Sequence, residues 1–310
     1  MMFRLKLVPD QTSFGFIHFR KFAYAISLMG VIASIALFST KGLNYGIDFQ
    51  GGTMIEIGTD GPANISDIRS RLSALNLGDV QVQTFGAPDD VLIRVEQQGE
   101  VAENDLSAVE KIRAELGEGV EYRRVEVVGP KVSGELVEAG TLAVTVAIFL
   151  MLVYIWFRFE WQFGVGSVLA LAHDVLLTIG IFALFELEFN LSIIAAILTI
   201  VGYSMNDTVV VYDRIREDLR KYKKMDLAEL LNLSINGTLS RTTMTSLTTV
   251  IALAALYIFG GEVIRGFAFA MIWGVFVGTY SSIFVAAPLL LILGVKRDWS
   301  VGADNAATKP

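Results

Sequence analysis

The chain has 310 residues, of which 53% are hydrophobic and only 18% are charged. Soluble domains usually hold about 25% charged residues, so the composition argues against a soluble enzyme and against intrinsic disorder. Cysteine is absent and only two histidines occur, which excludes a disulfide framework, a thiolate metal site and a histidine-rich metal site. The net charge of −7 argues against a nucleic-acid partner.

Six apolar runs are long enough to cross a membrane, since a spanning helix needs about 20 apolar residues. They predict transmembrane helices at residues 22–40, 139–157, 161–185, 189–212, 242–261 and 266–295. The first run could also be a signal peptide. Its apolar part is longer than such peptides use and no A-x-A site follows, so an uncleaved helix is favoured.

Lysine and arginine cluster in the tail at residues 1–21, in the turns after the second and fourth runs, and in the tail at 296–310. With six spans these segments all fall on one side of the membrane. The positive-inside rule assigns that side to the cytoplasm. Residues 41–135 then lie on the opposite, outer side, and residues 136–295 carry spans two to six.

Residues 41–135 are rich in acidic side chains and long enough for one small domain. Apolar spacing predicts strands near residues 54–57, 80–83, 91–95 and 122–128, and helices near 66–77 and 104–116. The order β-α-β-β-α-β is the ferredoxin-like α+β arrangement. A fold does not by itself give a function, so a passive spacer domain remains an alternative.

Three ionisable groups lie inside or at the ends of predicted spans, where a central charge costs about 2.5–3.5 kcal/mol on insertion scales. Asp207 is in the fourth span and Arg241 opens the fifth, so the two could pair. A carboxylate that alternates between two environments can bind and release protons. The alternatives are a static ion pair and, for Asp174 of the third span, a carboxylate satisfied by His173. The supporting polar residues are Ser204, Asn206 and Thr245.

Several motifs occur in order along the chain. They are I-D-F-Q-G-G-T at residues 47–53, V-G-P-K-V-S at 128–133, A-H-D at 172–174, G-Y-S-M-N-D-T at 202–208 and S-R-T at 240–242. Together they resemble the SecD/SecF family of bacterial protein-export membrane proteins, within the RND superfamily, from about residue 20 to 296. The motif positions singled out are Asp48, Gly51, Gly52, Gly129 and Pro130.

The resemblance implies six helices that form half of a twelve-helix RND unit, with a SecD subunit as the obligate other half. It implies work beside the SecYEG channel, where the proton motive force promotes preprotein translocation and periplasmic release, with YajC as a further partner. In the family, the aspartate and arginine that match Asp207 and Arg241 take part in proton movement. The chain is then a transport component rather than an enzyme, without a cofactor.

The resemblance also implies a multi-pass protein of the bacterial inner membrane, with both termini cytoplasmic and residues 41–135 periplasmic. Two other functions stay open from the residues themselves. The chain could be a structural scaffold of the translocon, in which Asp207 only fixes helix packing. It could also be half of an RND-type exporter of lipids or drugs, although the outer domain is small for a ligand pocket.

Overall fold

The structure is a computed structural model that describes residue 9 and residues 12–96 and 102–295, with only the backbone described at 102–107, 118 and 262. It divides into two units. The first holds Met1–Gly42, Ala147–Phe185 and Ala195–Pro310, and the second holds Leu43–Val146 and Glu186–Ile194. The predicted outer domain therefore shares its unit with a second segment, at residues 186–194.

The elements follow in chain order. After a 3-10 turn at Phe16–Phe19 come α1 (Arg20–Lys41), β1 (Asn44–Tyr45), α2 (Ile47–Gln50), β2 (Gly52–Thr59), α3 (Ile65–Ser73), β3 (Val80–Phe85), β4 (Ala87–Val95) and α4 (Ala102–Leu116). A 3-10 turn at Gly117–Gly119 leads to β5 (Val120–Val128), α5 (Pro130–Arg158), α6 (Trp161–Phe185), β6 (Glu188–Phe189), α7 (Leu191–Lys221), α8 (Leu227–Phe259) and α9 (Glu262–Ser281). A π-helical turn, Ser282–Ala286, precedes α10 (Ala287–Ile292).

Within the part of the chain that the structure describes, six helical segments are long and apolar enough to cross a membrane, which confirms the predicted number. They are Phe16–Lys41, Pro130–Arg158, Trp161–Phe185, Leu191–Lys221, Leu227–Phe259 and Val263–Ile292. Helices α7 and α8 run well beyond their apolar stretches, because the charged residues between them continue both helices. The Asp226 carboxylate caps α8 by accepting from the Ala228 amide at 2.9 Å.

The interior of the first unit is built where helices approach closely. Tyr212 of α7 is fully buried against Phe163 and Phe159, and its hydroxyl donates to the Ala286 carbonyl at 3.0 Å. Gly180 of α6 leaves room for α1, since a Cβ there would collide with Ser34. Small residues therefore set the spacing of these helices, as is common between membrane helices.

In the second unit, four strands form an antiparallel sheet in the order β3-β4-β2-β5. The order of helices and strands is the predicted one and is compatible with a ferredoxin-like arrangement. Helices α3 and α4 cover one face of the sheet, where the side chains of Ile55, Ile57, Leu72, Ile93 and Ile112 are fully buried. Burying each such side chain stabilises the fold by about 1.5–3 kcal/mol.

A second, two-stranded pair joins distant segments of the same unit. Strand β1 pairs in parallel with β6, with Asn44 opposite Glu188 and Tyr45 opposite Phe189. Arg94 of β4 reinforces this pair: its guanidinium lies 3.0 Å from Glu188 Oε2 and donates to Asn44 Oδ1 at 2.9 Å. The segment before α7 is thereby attached to the sheet.

Candidate functional site

Asp174 is fully buried in the middle of α6 and forms the centre of a hydrogen-bonded cluster. Its Oδ1 lies 2.8 Å from Nδ1 of His173, and its Oδ2 accepts from Ser204 Oγ of α7 and, at 2.8 Å, from Ser281 Oγ of α9. The contact with His173 that the sequence analysis offered as an alternative is thus present, whereas the bonds from Ser204 and Ser281 were not predicted.

Asp207, one turn along α7 from Ser204, is also buried, at 5% exposed. The hydroxyls of Thr242 on α8 and Ser282 on the π-helical turn lie against its carboxyl group. Among the described residues, no hydrogen bond reaches Oδ2. Asp207 is therefore a buried carboxyl group with one oxygen left without a hydrogen bond from the described part of the chain, which is unusual for a buried polar group.

Arg241 is a charged residue in the surroundings of the Asp207 carboxyl group. It lies on α8, next to Thr242, and its positive charge attracts the Asp207 carboxylate. The arginine itself is exposed within the chain. The two residues that the sequence suggested as a pair are therefore electrostatic neighbours, with the hydroxyls of Thr242 and Ser282 next to the carboxylate.

The serines at the end of α9 belong to these clusters, and sequence reasoning missed them. Ser281 and Ser282 are consecutive and both fully buried, and a π-helical turn begins between them. Ser281 donates to Asp174, whereas Ser282 contacts Asp207 and lies 3.0 Å from the Thr208 hydroxyl. Two adjacent hydroxyls in an otherwise apolar run were the available signal. Single π turns within helices are frequent at functional sites.

Two of the predicted supporting residues lie outside these clusters. Asn206 is on the exposed side of α7, together with Thr199 and Gly202. Thr245 is exposed on α8, and its hydroxyl donates to the carbonyls of Arg241 and Thr242 in its own helix. Helical geometry explains the position of Asn206: it is next to Asp207 in sequence, and successive side chains of a helix point about 100° apart.

The motif at residues 47–53 has a structural role within the second unit. The Asp48 carboxylate accepts from the backbone amide of Leu191 at 3.0 Å and so caps the first turn of α7. Gly51 and Gly52 follow with φ of +73° and +111°. Side chains rarely tolerate such angles, so the two glycines are required for the sharp passage from α2 into β2.

Gly129 and Pro130 start α5. Proline suits the first position of a helix because it has no amide hydrogen to leave unpaired. The Ser133 amide bonds to the Gly129 carbonyl at 3.0 Å, and the Ser133 hydroxyl donates to the Pro130 carbonyl at 3.1 Å. This motif therefore sets the position at which β5 ends and α5 begins.

The sheet carries a charged row on β2, β4 and β5. Glu56 is buried on β2, and its burial raises the pKa of its carboxyl group above the ordinary value. The nearby Asp90 carboxylate raises that pKa further, while Arg123 and Arg124 oppose the shift. Glu56 therefore binds a proton at a higher pH than an ordinary glutamate does.

Two family descriptions match the chain. "Protein export membrane protein SecD/SecF, C-terminal" covers residues 108–296 and includes the Asp174 and Asp207 clusters. The "SecD/SecF GG Motif" covers residues 36–63 and includes Asp48, Gly51 and Gly52. Both the buried carboxylates and the capping motif thus lie within segments that characterise one family.

Close relatives extend over nearly the whole chain. A protein translocase subunit SecF from Vibrio alginolyticus is 45% identical over 295 residues, covering 94% of each chain. The subunit SecF of Cereibacter sphaeroides is 46% identical over 318 residues, covering 100% of this chain and 98% of the relative.

Two solved structures of SecDF also match. The crystal structure of SecDF from Thermus thermophilus, titled a translocon-associated membrane protein, has a TM-score of 0.84 and 37% identity, and covers 93% of this chain. SecDF in a "Super-membrane-facing form" has a TM-score of 0.68 and 38% identity. This chain spans only 40% of each SecDF chain.

Proposed function

Because the chain belongs to the SecD/SecF family of protein-export membrane proteins, we propose that it is the SecF-type subunit of a proton-driven aid to protein export. With a SecD partner, it uses the proton motive force to promote preprotein movement through the SecYEG channel and release on the periplasmic side. The observation that carries the proposal is Asp207, a buried carboxyl group next to the hydroxyls of Thr242 and Ser282 from two other helical segments.

The proposed mechanism rests on the two protonation states of Asp207. A protonated carboxyl group is neutral and is tolerated in a buried, partly satisfied position. An ionised one is costly there and is stabilised by an approaching positive charge. Arg241 is the positive charge on the neighbouring helix. Proton binding and release would therefore change the attraction between α7 and α8, which is how a proton gradient can bias two conformations.

The exposed sides of α7 and α8 support association with SecD. Polar residues occupy these sides at membrane depth, including Thr199, Gly202 and Asn206 on α7 and Arg241 on α8. An arginine that faces lipid is costly, so a protein surface is the better neighbour. The SecDF chains are much longer than this one and contain its fold as one part. SecYEG and YajC are further proposed partners.

The proposed location is the bacterial inner membrane. The tail at residues 1–21, the residues around the junction of α7 and α8, and the tail at 296–310 are rich in lysine and arginine. The positive-inside rule places them in the cytoplasm. Residues 41–135 are then periplasmic, where they could meet an emerging preprotein.

The test is export of a secreted reporter in cells whose sole copy of the chain carries Asp207→Asn. Asparagine keeps the size and hydrogen-bonding capacity but cannot exchange a proton. Asp213→Asn is the matched control, because Asp213 is on the same helix and forms an exposed ion pair with Arg158. We expect export to fall to the deletion level only for Asp207→Asn, with normal amounts of the chain and of SecD.

Normal export with Asp207→Asn would refute the proton-coupling role and favour a scaffold. Unchanged protein export combined with loss of a transported lipid or drug would favour the exporter alternative.

A further inference from the structure

The buried histidine of α6 has one ring nitrogen bonded and the other without a partner. His173 is 5% exposed, and its Nδ1 lies 2.8 Å from Asp174 Oδ1. Its Nε2 is buried and has no hydrogen-bond partner among the residues that the structure describes. Buried polar atoms are rarely left in this condition, so the orphaned nitrogen calls for an explanation.

Both carboxyl oxygens of Asp174 have a partner. Ser204 and Ser281 donate to Oδ2, and Oδ1 faces Nδ1 of His173. The proton between Oδ1 and Nδ1 belongs on the nitrogen, because imidazole is a stronger base than a carboxylate. Nε2 of a neutral imidazole with this tautomer holds a lone pair and can accept a proton.

The groups that face this pair contain no buried cation. Tyr280 of α9 stacks on the His173 ring, with the centroids 6.0 Å apart, and its hydroxyl is engaged with Ser27 and the Ala23 carbonyl of α1. The described cationic residues of the elements packed against α6 lie toward the ends of their helices. They are Arg20, Lys21 and Lys41 on α1, Lys131 and Arg158 on α5, Arg265 on α9, and Arg214, Arg216, Arg220 and Lys221 on α7.

The remaining described titratable groups on those elements are tyrosines and carboxyl groups. They are Tyr24 on α1, Glu135, Glu138 and Tyr154 on α5, Tyr280 on α9, and Tyr203, Asp207, Tyr212, Asp213, Glu217 and Asp218 on α7. Neither the π-helical turn nor α10 carries one. The Asp174 carboxylate is therefore the charge in direct contact with His173. A second proton on the imidazole ring converts this contact into an ion pair.

We propose that Nε2 of His173 is a second proton-binding site of this chain, which rests on the proposed function and extends it. Uptake of one proton converts the carboxylate and neutral imidazole, with a net charge of −1, into a carboxylate–imidazolium pair with a net charge of zero. Release of the proton restores the lone pair on Nε2. The Asp174 carboxylate stays ionised in both states and orients the ring through Nδ1.

The His173–Asp174 pair shares neighbouring residues with Asp207. Ser281 donates to Asp174, and the next residue, Ser282, contacts Asp207. Ser204 donates to Asp174 from α7, three residues before Asp207 in the same helix. The two sites thus share the start of the π-helical turn and one turn of α7. A change of charge at His173 is placed to alter the hydrogen bonds around Asp207.

The test uses the low histidine count of the chain. His18 and His173 are its only histidines, and His18 is exposed in the short 3-10 turn before α1. The full chain with His18→Gln, labelled with ¹⁵N-histidine in lipid bilayers, gives the ring nitrogens of His173 alone by solid-state NMR. The matched control is His173→Gln, which leaves His18 alone. The unchanged chain shows both sets of signals and needs no substitution.

The sample is titrated from about pH 8 to about pH 5. We expect Nδ1 of His173 to carry a proton throughout, and Nε2 to change from unprotonated to protonated. Two results would overturn the proposal: Nε2 that stays unprotonated over this range, or an unprotonated Nδ1, which would put the proton on Asp174. Neither result depends on export, so the outcome with Asp207→Asn is judged separately.

A functional measurement separates proton binding from a purely structural histidine. Proton flux through the purified complex with SecD in liposomes is measured against pH for the unchanged chain and for His173→Gln. In the unchanged complex we expect the flux to change between about pH 8 and about pH 5. In His173→Gln we expect the flux at about pH 8 to be kept and this change to be lost. An identical pH profile in both proteins would overturn the role of His173 in proton movement.

Discussion

Loss of the Asp48 carboxylate should loosen the first turn of α7. That turn has backbone amides without partners in the helix, and the amide of Leu191 bonds to Asp48 at 3.0 Å. A capping side chain is worth about 1 kcal/mol, and a negative charge at a helix N-terminus adds about 0.3–1 kcal/mol. Asp48→Ala is therefore expected to cost about 1–2 kcal/mol, which corresponds to about 5- to 30-fold more frequent opening.

Hydrogen exchange of the amides at residues 191–194, measured in the full chain in bilayers, reports this opening directly. Asp48→Asn keeps an acceptor oxygen but removes the charge, so exchange should rise by a smaller factor than in Asp48→Ala. Asp60→Ala is the control, because Asp60 is an exposed turn residue of the same unit. Unchanged exchange at Leu191 in Asp48→Ala would refute the capping argument.

Three further predictions concern packing and charge. Arg94→Ala leaves the largely buried Glu188 without its cation, so the second unit should lose about 3–5 kcal/mol by denaturant unfolding; a loss below about 1 kcal/mol would show that the pair is solvated. Burial raises the pKa of Glu56, so its contribution to the free energy of unfolding is complete in acid, where the group is protonated. This contribution declines as the pH rises from the ordinary pKa of a glutamate through the raised value. Glu56→Gln should remove this decline and slow exchange in β2 at neutral pH, and an unchanged pH dependence would contradict it. Gly180→Val should prevent α1 from packing on α6 at Ser34, which lowers the folded yield in size-exclusion chromatography, whereas Gly119→Val, in open space, should have a smaller effect; equal yields would refute the close approach.

The parts of the fold that depend on local patterns were predictable from the sequence. Apolar length gave the six helices, and alternation gave the order of elements in the sheet. The ends of α7 and α8 were not predictable in this way, because an apolar run ends where the membrane ends and a helix need not. The strand predicted near residues 91–95 also begins earlier, since Asp89 and Asp90 belong to β4, whose pairing with β2 depends on the whole sheet.

The site was predictable only as a set of candidate residues. Burial of charge is unfavourable in a membrane, so Asp174 and Asp207 were identifiable from their positions alone. Their partners were not. Hydroxyls in helices usually bond to their own backbone, as Thr245 does, so the adjacent hydroxyls of Ser281 and Ser282 marked a position but did not show which carboxyl group each would contact. Likewise, the β1–β6 pair joins two-residue strands far apart in sequence.

Proton flux that depends on Asp207 is the most direct test of the proposed function. The purified complex of this chain with SecD is reconstituted in liposomes, a pH gradient is imposed, and internal acidification is followed with a pH-sensitive dye. We predict flux well above that of protein-free liposomes for the unchanged complex and for Asp213→Asn, and flux at the protein-free level for Asp207→Asn. Equal flux through the unchanged complex and Asp207→Asn would contradict the assignment of Asp207 as the proton-coupling group.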